Sequence, residues 1–213
     1  MICVSLTEKN PQKLIEIANS LEMVEVRIDL CELTEQFVTD VFASISKPTI
    51  ATCRPDFCDD EKRKQLLKCA IDAGATYVDI EIESEKQYRE ELLSFAHSHN
   101  CKVIISYHNY DETPEKAILK NIVNECFAQG ADVAKIATTA QSKMDCARVL
   151  SLYSEYKNIV SLAMGSIGTI TRVANLALGS PFSFASLDEE HATAAGQLTV
   201  QQMKNYAKDF NLA

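Results

Sequence analysis

Residues 131–140 read ADVAKIATTA and form the clearest of the short apolar runs on which the fold depends. The apolar letters of VAKIA, followed by polar residues, are typical of a buried strand. Lys135 stands in the middle of this strand. Lysine is almost never fully buried unless its charge is compensated. The stretch therefore predicts a core strand and marks Lys135 as a candidate functional residue.

Similar runs recur along the whole chain and alternate with helical patterns. The predicted strands are Ile2–Leu6, Met23–Leu30, Pro48–Arg54, Tyr77–Glu83, Cys101–His108, Asp132–Thr138, Asn158–Met164 and Pro181–Leu187. Alternating strands and helices imply a parallel sheet, and eight such units imply a (β/α)8 TIM barrel. With no linker, residues 1–213 are expected to form a single domain. An open doubly wound sheet is the rival, but no G-x-G-x-x-G follows the first strand.

Helix starts are marked by capping residues. The signals are an N-cap followed by proline at Asn10-Pro11 and Thr113-Pro114, and capping-box spacing from Ser84 to Gln87 and from Thr199 to Gln202. The charged run from Asp59 to Lys64 predicts a solvated helix start.

Composition narrows the range of partners. The net charge of −9 argues against nucleic acid and anionic membranes. No apolar run reaches the ~20 residues of a membrane helix, and the N-terminus lacks the basic flank of a signal peptide, so a cytoplasmic protein is expected. The 8 cysteines are scattered without a C-x-x-C pair, which predicts reduced core thiols and disfavours a zinc site.

Polar residues recur at alternate positions near the C-terminal ends of five predicted strands. They are Glu25, Arg27 and Asp29; Thr52 and Arg54; Asp79, Glu81 and Glu83; Ser106 and His108; and Lys135. Any one of them fits a solvated strand end or a structural ion pair. Together they indicate a site, because active sites of this fold lie at the C-terminal face of the sheet.

The residue types suggest carbonyl chemistry. An ammonium group held away from water is destabilised relative to the neutral amine. A neutral lysine amine attacks carbonyls and forms a Schiff base, so Lys135 is the candidate nucleophile. His108, on the preceding predicted strand, is the natural acid–base partner near neutral pH.

Several motifs resemble the type I 3-dehydroquinate dehydratases. They are EVRID, TCRP, SYHNYDETP, ADVAKIA, MGSIGTITRVAN and ATAAGQLT, which occur in the family's order across nearly the whole chain. The resemblance implies a (β/α)8 barrel, usually a homodimer. It also implies dehydration of 3-dehydroquinate to 3-dehydroshikimate in the shikimate pathway, through a lysine Schiff base and without a metal or other cofactor.

The resemblance also implies roles for particular residues. Lys135 would form the Schiff base and His108 would be the general acid and base, while Arg172 would be the main ligand of the substrate carboxylate. The remaining implied substrate contacts are Ser5, Glu25, Arg27, Arg54, Met164, Thr193 and Gln197.

The chain departs from the family pattern at three places. Thr193 stands where the family's closing loop usually has serine, which keeps the hydroxyl. Cys58 occupies the position of the glutamate that orients the histidine, so Asp56, Asp59 or Glu81 is left to take that role. The chain is also expected to lack the N-terminal extension common in the family.

Two other functions fit a barrel with a buried lysine. One is another Schiff-base enzyme resembling a class I aldolase. Arg172, Gln197 and the pair of His108 and Lys135 favour the dehydratase over it. The other is a catalytically inactive ligand-binding barrel, which loss of Lys135 or His108 would have indicated.

Overall fold

The computed structural model describes residues 1–212, and strands alternate with helices throughout them. The strands are β1 (Ile2–Leu6), β2 (Met23–Arg27), β3 (Thr49–Thr52), β4 (Tyr77–Glu81), β5 (Lys102–Asn109), β6 (Val133–Thr139), β7 (Ile159–Met164) and β8 (Ser183–Ser186). The helices are α1 (Pro11–Asn19), α2 (Ile28–Cys31), α3 (Glu35–Ser44), α4 (Asp60–Asp72), α5 (Lys86–Ser98), α6 (Lys116–Ala128), α7 (Lys143–Leu150), α8 (Gly165–Ala177) and α9 (Val200–Asp209). A 3-10 turn, Ser151–Ser154, follows α7.

The strands form an eight-stranded sheet in the order β7-β6-β5-β4-β3-β2-β1-β8. The ladders from β2 to β3, from β3 to β4 and from β6 to β7 are parallel. The predicted (β/α)8 class is therefore confirmed, since parallel strands alternate with helices in chain order.

Two compact units divide the chain. The first unit is Val4–Ile104, and the second joins Met1–Cys3 to the chain from Ile105 onward. In the first unit, β2 pairs with β3 so that Arg27 lies opposite Thr52. In the second, β6 pairs with β7 so that Lys135 lies opposite Val160. The single domain over residues 1–213 stays a prediction.

Four predicted strands end earlier than expected: β2 by three residues, β3 and β4 by two, and β8 by one. β2 stops at Arg27, and the chain turns directly into the one-turn helix α2, which ends where Glu32 adopts a φ of 54°. Asp29 is therefore a helical residue rather than a strand residue. β4 stops at Glu81, so Glu83 follows the strand and is exposed. Local hydrogen bonding at the strand ends overrides the alternating pattern there.

The helix-start predictions are half correct. Asn10 caps α1 with its side chain, and Thr199 forms the predicted capping box of α9. The other two are wrong, because α5 and α6 begin after Glu85 and Glu115, neither of which caps with its side chain. The Thr113 hydroxyl donates instead to the carbonyl of Thr139, 2.8 Å away.

Two further expectations concern the cysteines, predicted to be reduced core thiols, and the lack of a membrane helix. Six cysteines are buried, Cys58 and Cys69 are half-buried, and none of the eight forms a disulfide within the described residues. No helix in residues 1–212 is long and apolar enough to cross a membrane.

Candidate active site

Lys135 lies in the interior of β6, where the ladder to β7 fixes its main chain. Its side chain is only 5% exposed, as the sequence predicts. The Nζ atom lies over the ring of Phe184 on β8, 4.4 Å from the ring centroid. The structure thus holds an amino group against an aromatic face inside the second unit.

His108 lies near the C-terminal end of β5 and is half-buried. The ring of Tyr110 stacks on it, with centroids 6.1 Å apart and planes 13° apart. The chain turns there because the Asn109 side chain accepts hydrogen bonds from the main-chain amides of Asp111 and Glu112. This turn lets Tyr110 return over His108 although its own side chain is mostly exposed.

Arg172 lies in the middle of α8, and its side chain is 2% exposed. Close packing of α8 on β7 puts it there. A Cβ atom at Gly168 would lie 2.3 Å from the carbonyl oxygen of Ala163, so only glycine allows this approach. The Thr171 hydroxyl accepts the Ala163 amide at 2.9 Å and completes the contact.

The guanidinium of Arg172 has no hydrogen bond or ion pair with any residue in 1–212, and its Nε is fully buried. Burial alone lowers the pKa of this guanidinium to about 10, so it remains charged at neutral pH. A buried charge without a partner is costly unless a ligand compensates it. The geometry therefore fits an anion-binding group.

The closing loop, residues 187–198 between β8 and α9, packs on the start of α8. The Gly165 amide donates to the carbonyl of Ala195 at 3.0 Å, and the Thr169 hydroxyl donates to the carbonyl of Gly196 at 3.1 Å. Gln197 Oε1 accepts the amide and the hydroxyl of Thr193 at 2.7 and 3.1 Å. The loop is thus folded on itself and fixed to the helix that carries the buried arginine.

We expect Gly196→Ala to release this loop. Gly196 has a φ of 72°, and a Cβ atom there would lie 2.2 Å from the carbonyl oxygen of Gly165. An endoproteinase that cleaves after glutamate should cut the loop at Glu189 or Glu190 about tenfold faster in the variant, because cleavage follows local opening. Gly179→Ala is the control, since Gly179 has a φ of 94° with nothing within 4 Å. Equal cleavage rates in the two variants would mean that the close contact does not fix the loop.

In the first unit, Glu25 on β2 is buried and both of its carboxylate oxygens accept hydroxyl groups. Ser5 donates to Oε2 at 2.7 Å and Thr52 donates to Oε1 at 2.9 Å. Neighbouring strands β1 and β3 supply the two hydroxyls. Thr52 therefore positions Glu25 from the strand next to it.

Arg27, at the end of β2, is held by Asp29 on α2. Its Nε and Nη2 atoms donate to the two carboxylate oxygens at 3.0 and 2.6 Å. Although burial acts to lower the pKa of Arg27, the Asp29 carboxylate and the charge of Glu25 raise it above its usual value. Arg27 already has a bidentate carboxylate partner.

Arg54 follows β3 and is held by two carboxylates of β4. Its guanidinium donates to Asp79 at 3.1 and 3.3 Å and also to Glu81. Burial acts to lower the pKa of Arg54, but the charges of Asp79 and Glu81 raise it far above its usual value. Of the predicted arginines, Arg27 and Arg54 have protein carboxylates, whereas Arg172 has none among the described residues.

The candidates for orienting His108 have different surroundings. Asp56 is exposed in the loop after β3, and Asp59 caps α4 by accepting the amide of Lys62 at 2.9 Å. Glu81 alone is buried. Met164, a predicted substrate contact, is also buried and lies at the end of β7.

The structure groups the predicted residues within each unit. Glu25 is linked to Ser5 and Thr52 in one unit. Thr193 is linked to Gln197 in the other. Sequence reasoning missed Phe184, which contacts Lys135, and Tyr110, which stacks on His108. The signal available in the sequence was the presence of aromatic residues just after β5 and within β8.

The parallel (β/α)8 fold, with its buried strand lysine and its buried arginine, places the chain among the barrel enzymes. The fold of the chain is that of solved dehydratases. Type I 3-dehydroquinate dehydratase from Clostridium difficile superposes with a TM-score of 0.87 at 24% identity, covering 98% of this chain and 91% of that one. The 3-dehydroquinate dehydratase from Aquifex aeolicus superposes with a TM-score of 0.86 at 27% identity, covering 99% of this chain and 98% of that one.

Sequence comparison gives the family. The type I 3-dehydroquinase family model matches residues 2–210. The 3-dehydroquinate dehydratase of Methanococcus maripaludis strain C5 is 36% identical over 221 residues, covering 96% of this chain and 97% of the relative. The one from Desulfotalea psychrophila is 31% identical and covers 95% of each. The chain belongs to the type I 3-dehydroquinase family, a family of lyases.

Proposed function

We propose that this chain dehydrates 3-dehydroquinate to 3-dehydroshikimate through a Schiff base on Lys135. The observation that carries the proposal is the burial of Lys135 within β6, with Nζ over the Phe184 ring. Nothing in the packing of an ordinary core strand requires an amino group there, whereas imine chemistry requires one shielded from water. Membership of the family supports the same reaction.

The reaction divides between two residues. The Lys135 amine adds to the substrate ketone, and uptake of one proton with loss of one water gives the iminium. His108 removes a proton from the neighbouring carbon, and the electron pair is delocalised into the iminium as an enamine. His108 then returns a proton to the departing hydroxyl, so a second water leaves and a double bond forms. Hydrolysis consumes one water and releases the product, the Lys135 amine and the proton taken up earlier, so the net change is loss of one water.

The substrate carboxylate is proposed to bind Arg172. That guanidinium is buried and lacks a counter-ion in the described chain, while Arg27 and Arg54 are held by protein carboxylates. Arg27 and Arg54, with Glu25, are proposed to contact the hydroxyl groups and the carboxylate region of the substrate, and Ser5 is proposed as a further substrate contact. Met164 is proposed to pack against the ring of the substrate, and Thr193 and Gln197 are proposed to close over it.

The setting of the enzyme is proposed on the family resemblance. We infer a cytoplasmic homodimer that takes a small-molecule substrate, uses no cofactor and acts in aromatic amino-acid biosynthesis. The net charge of −9 supports a small-molecule partner rather than nucleic acid or a membrane surface.

The test is to mix the purified chain with 3-dehydroquinate and record ultraviolet absorbance. The conjugated product absorbs and the substrate does not, so absorbance should rise with a rate proportional to enzyme concentration. An aldolase-like enzyme would consume substrate without this band. A ligand-binding barrel would leave the substrate intact, so either result rejects the proposal.

We expect His108→Ala to form the imine but to turn over poorly. General acid–base catalysis contributes about 10²–10⁴ in rate, so kcat should fall by that factor while amine attack remains. Mass spectrometry of the variant mixed with substrate should show an accumulated adduct. His99→Ala is the control, because His99 is exposed at the end of α5 and pairs with Asp72. A near-normal kcat in His108→Ala would remove this residue from the mechanism.

A further inference from the structure

Arg63, in the first turn of α4, is buried although the surrounding sequence predicts a solvated helix start. Its side chain is 2% exposed, while Asp60 and Glu61 in the same turn are exposed. Arginine is mostly exposed in proteins, and complete burial requires partners for its donors. The neighbours of Arg63 are therefore informative.

Each nitrogen of the Arg63 guanidinium has a partner. Nε donates to the carbonyl of Cys53 at 3.1 Å, Nη1 donates to Asp60 at 2.7 Å, and Nη2 donates to Glu81 at 2.9 Å. The guanidinium carbon lies 5.1 Å from the centroid of the Tyr88 ring. All three nitrogens of the planar Arg63 guanidinium therefore donate hydrogen bonds, an arrangement that the single nitrogen of lysine cannot reproduce.

Two of these contacts converge on Arg54. Cys53 is the residue before Arg54, so its carbonyl fixes the main chain at the base of that side chain. Glu81 uses one carboxylate oxygen for Arg63 and the other for Arg54. Arg63 thus contacts both the main chain next to Arg54 and the carboxylate that binds the Arg54 guanidinium.

Charge balance strengthens this connection. Among the buried groups, Arg54 and Arg63 carry two positive charges and Asp79 and Glu81 carry two negative ones, while Asp60, the other carboxylate partner of Arg63, is exposed to solvent. Loss of Arg63 would leave the carboxylates in excess around Arg54. An excess of negative charge would repel an anionic substrate and would draw the Arg54 guanidinium closer to Glu81.

We propose that Arg63 is a positioning residue that sets the place and the effective charge of Arg54 for substrate binding. The inference rests on the proposed function, in which Arg54 contacts the substrate. The contacts to Cys53 and Glu81 tie Arg63 to a single neighbouring side chain.

The test is a double-mutant cycle with Arg63→Gln and Arg54→Ala. Arg63→Gln alone should raise KM for 3-dehydroquinate about tenfold and change kcat by less than about threefold, as coupled neighbours do. In the Arg54→Ala background the same substitution should change KM by less than about twofold. The KM of Arg63→Lys should lie between those of wild type and Arg63→Gln. If Arg63→Gln does not fold, Arg63→Lys replaces it in the cycle.

A matched control is Arg148→Gln. Arg148 on α7 also bonds a main-chain carbonyl, that of Thr113 at 2.9 Å, and the carboxylate of Asp145 at 2.8 Å. It should lower the thermal midpoint without the KM effect. A KM effect of Arg63→Gln that is the same in both backgrounds, or no KM effect at all, would overturn the inference.

A readout without substrate separates this inference from the proposed function. The side-chain Nε–Hε NMR signal of Arg54, assigned with Arg54→Lys, should shift and exchange faster with water in Arg63→Gln. An unchanged signal overturns the positioning role even if the chain converts 3-dehydroquinate. A changed signal in a chain that does not convert 3-dehydroquinate rejects the proposed function and leaves the role of Arg63 standing.

Discussion

Lys135→Met is expected to lower kcat for 3-dehydroquinate by at least about a thousandfold, since removal of a covalent nucleophile leaves only binding and polar stabilisation. Methionine keeps the unbranched stem and can pack on the Phe184 ring that Lys135 contacts. The fold should therefore survive, and substrate should still bind. Activity should be measured by the absorbance assay, and binding by calorimetry.

Lys102→Met is the matched control for this substitution. Lys102 also lies on a strand, β5, and its amino group lies over an aromatic ring, that of Tyr77 at 5.6 Å, but its side chain is exposed. It should retain wild-type kcat. If Lys135→Met kept more than about a tenth of wild-type kcat, a covalent role for Lys135 would be untenable.

Arg172→Met is expected to weaken substrate binding and yet not to destabilise the protein. Charge-assisted hydrogen bonds contribute about 1.5–3 kcal/mol each, so affinity should fall at least tenfold. Because Arg172 is buried without a partner in the described chain, methionine removes a desolvation penalty of about 1–3 kcal/mol. The thermal midpoint without ligand should rise by roughly 2–4 °C for each kcal/mol gained.

Affinity should be measured in the Lys135→Met background, where no imine forms and binding is isolated from chemistry. Arg172→Lys should recover only part of the affinity, because lysine is a point charge without the planar fork. Arg148→Met is the control for stability. Since Arg148 has carboxylate partners in Asp145 and Glu115, its loss should lower the midpoint. Equal substrate affinity in Arg172→Met and its parent would mean that Arg172 does not bind the substrate carboxylate, and Arg27 or Arg54 would become the candidate.

Strand positions were predictable because the apolar runs are short, regular and separated by helical patterns. Lys135 could be singled out for the same reason, as a charge inside a core pattern. Asp29 was placed wrongly because the chain leaves β2 early, where its carboxylate binds Arg27. Alternation along a strand contains no information on where hydrogen bonding to a nearby side chain ends it.

The properties that could not be predicted from the sequence depend on contacts between residues that are distant in the chain. Arg63 looks like one charge in a polar run, and its burial follows from Glu81 and the Cys53 carbonyl, 18 and 10 residues away. Arg172 could be named as an anion ligand through the family resemblance, but its lack of an acidic partner is a property of the packed interior. Thr113 failed as a cap because Thr139 competes for its hydroxyl.

Reduction of the imine tests the central claim most directly. The chain is mixed with 3-dehydroquinate and borohydride, and its peptides are analysed by mass spectrometry. One stable adduct per chain is predicted, on the peptide containing Lys135, absent from Lys135→Met and retained in Lys102→Met. An active enzyme that gives no adduct, or an adduct on a different lysine, would contradict the Schiff-base role of Lys135.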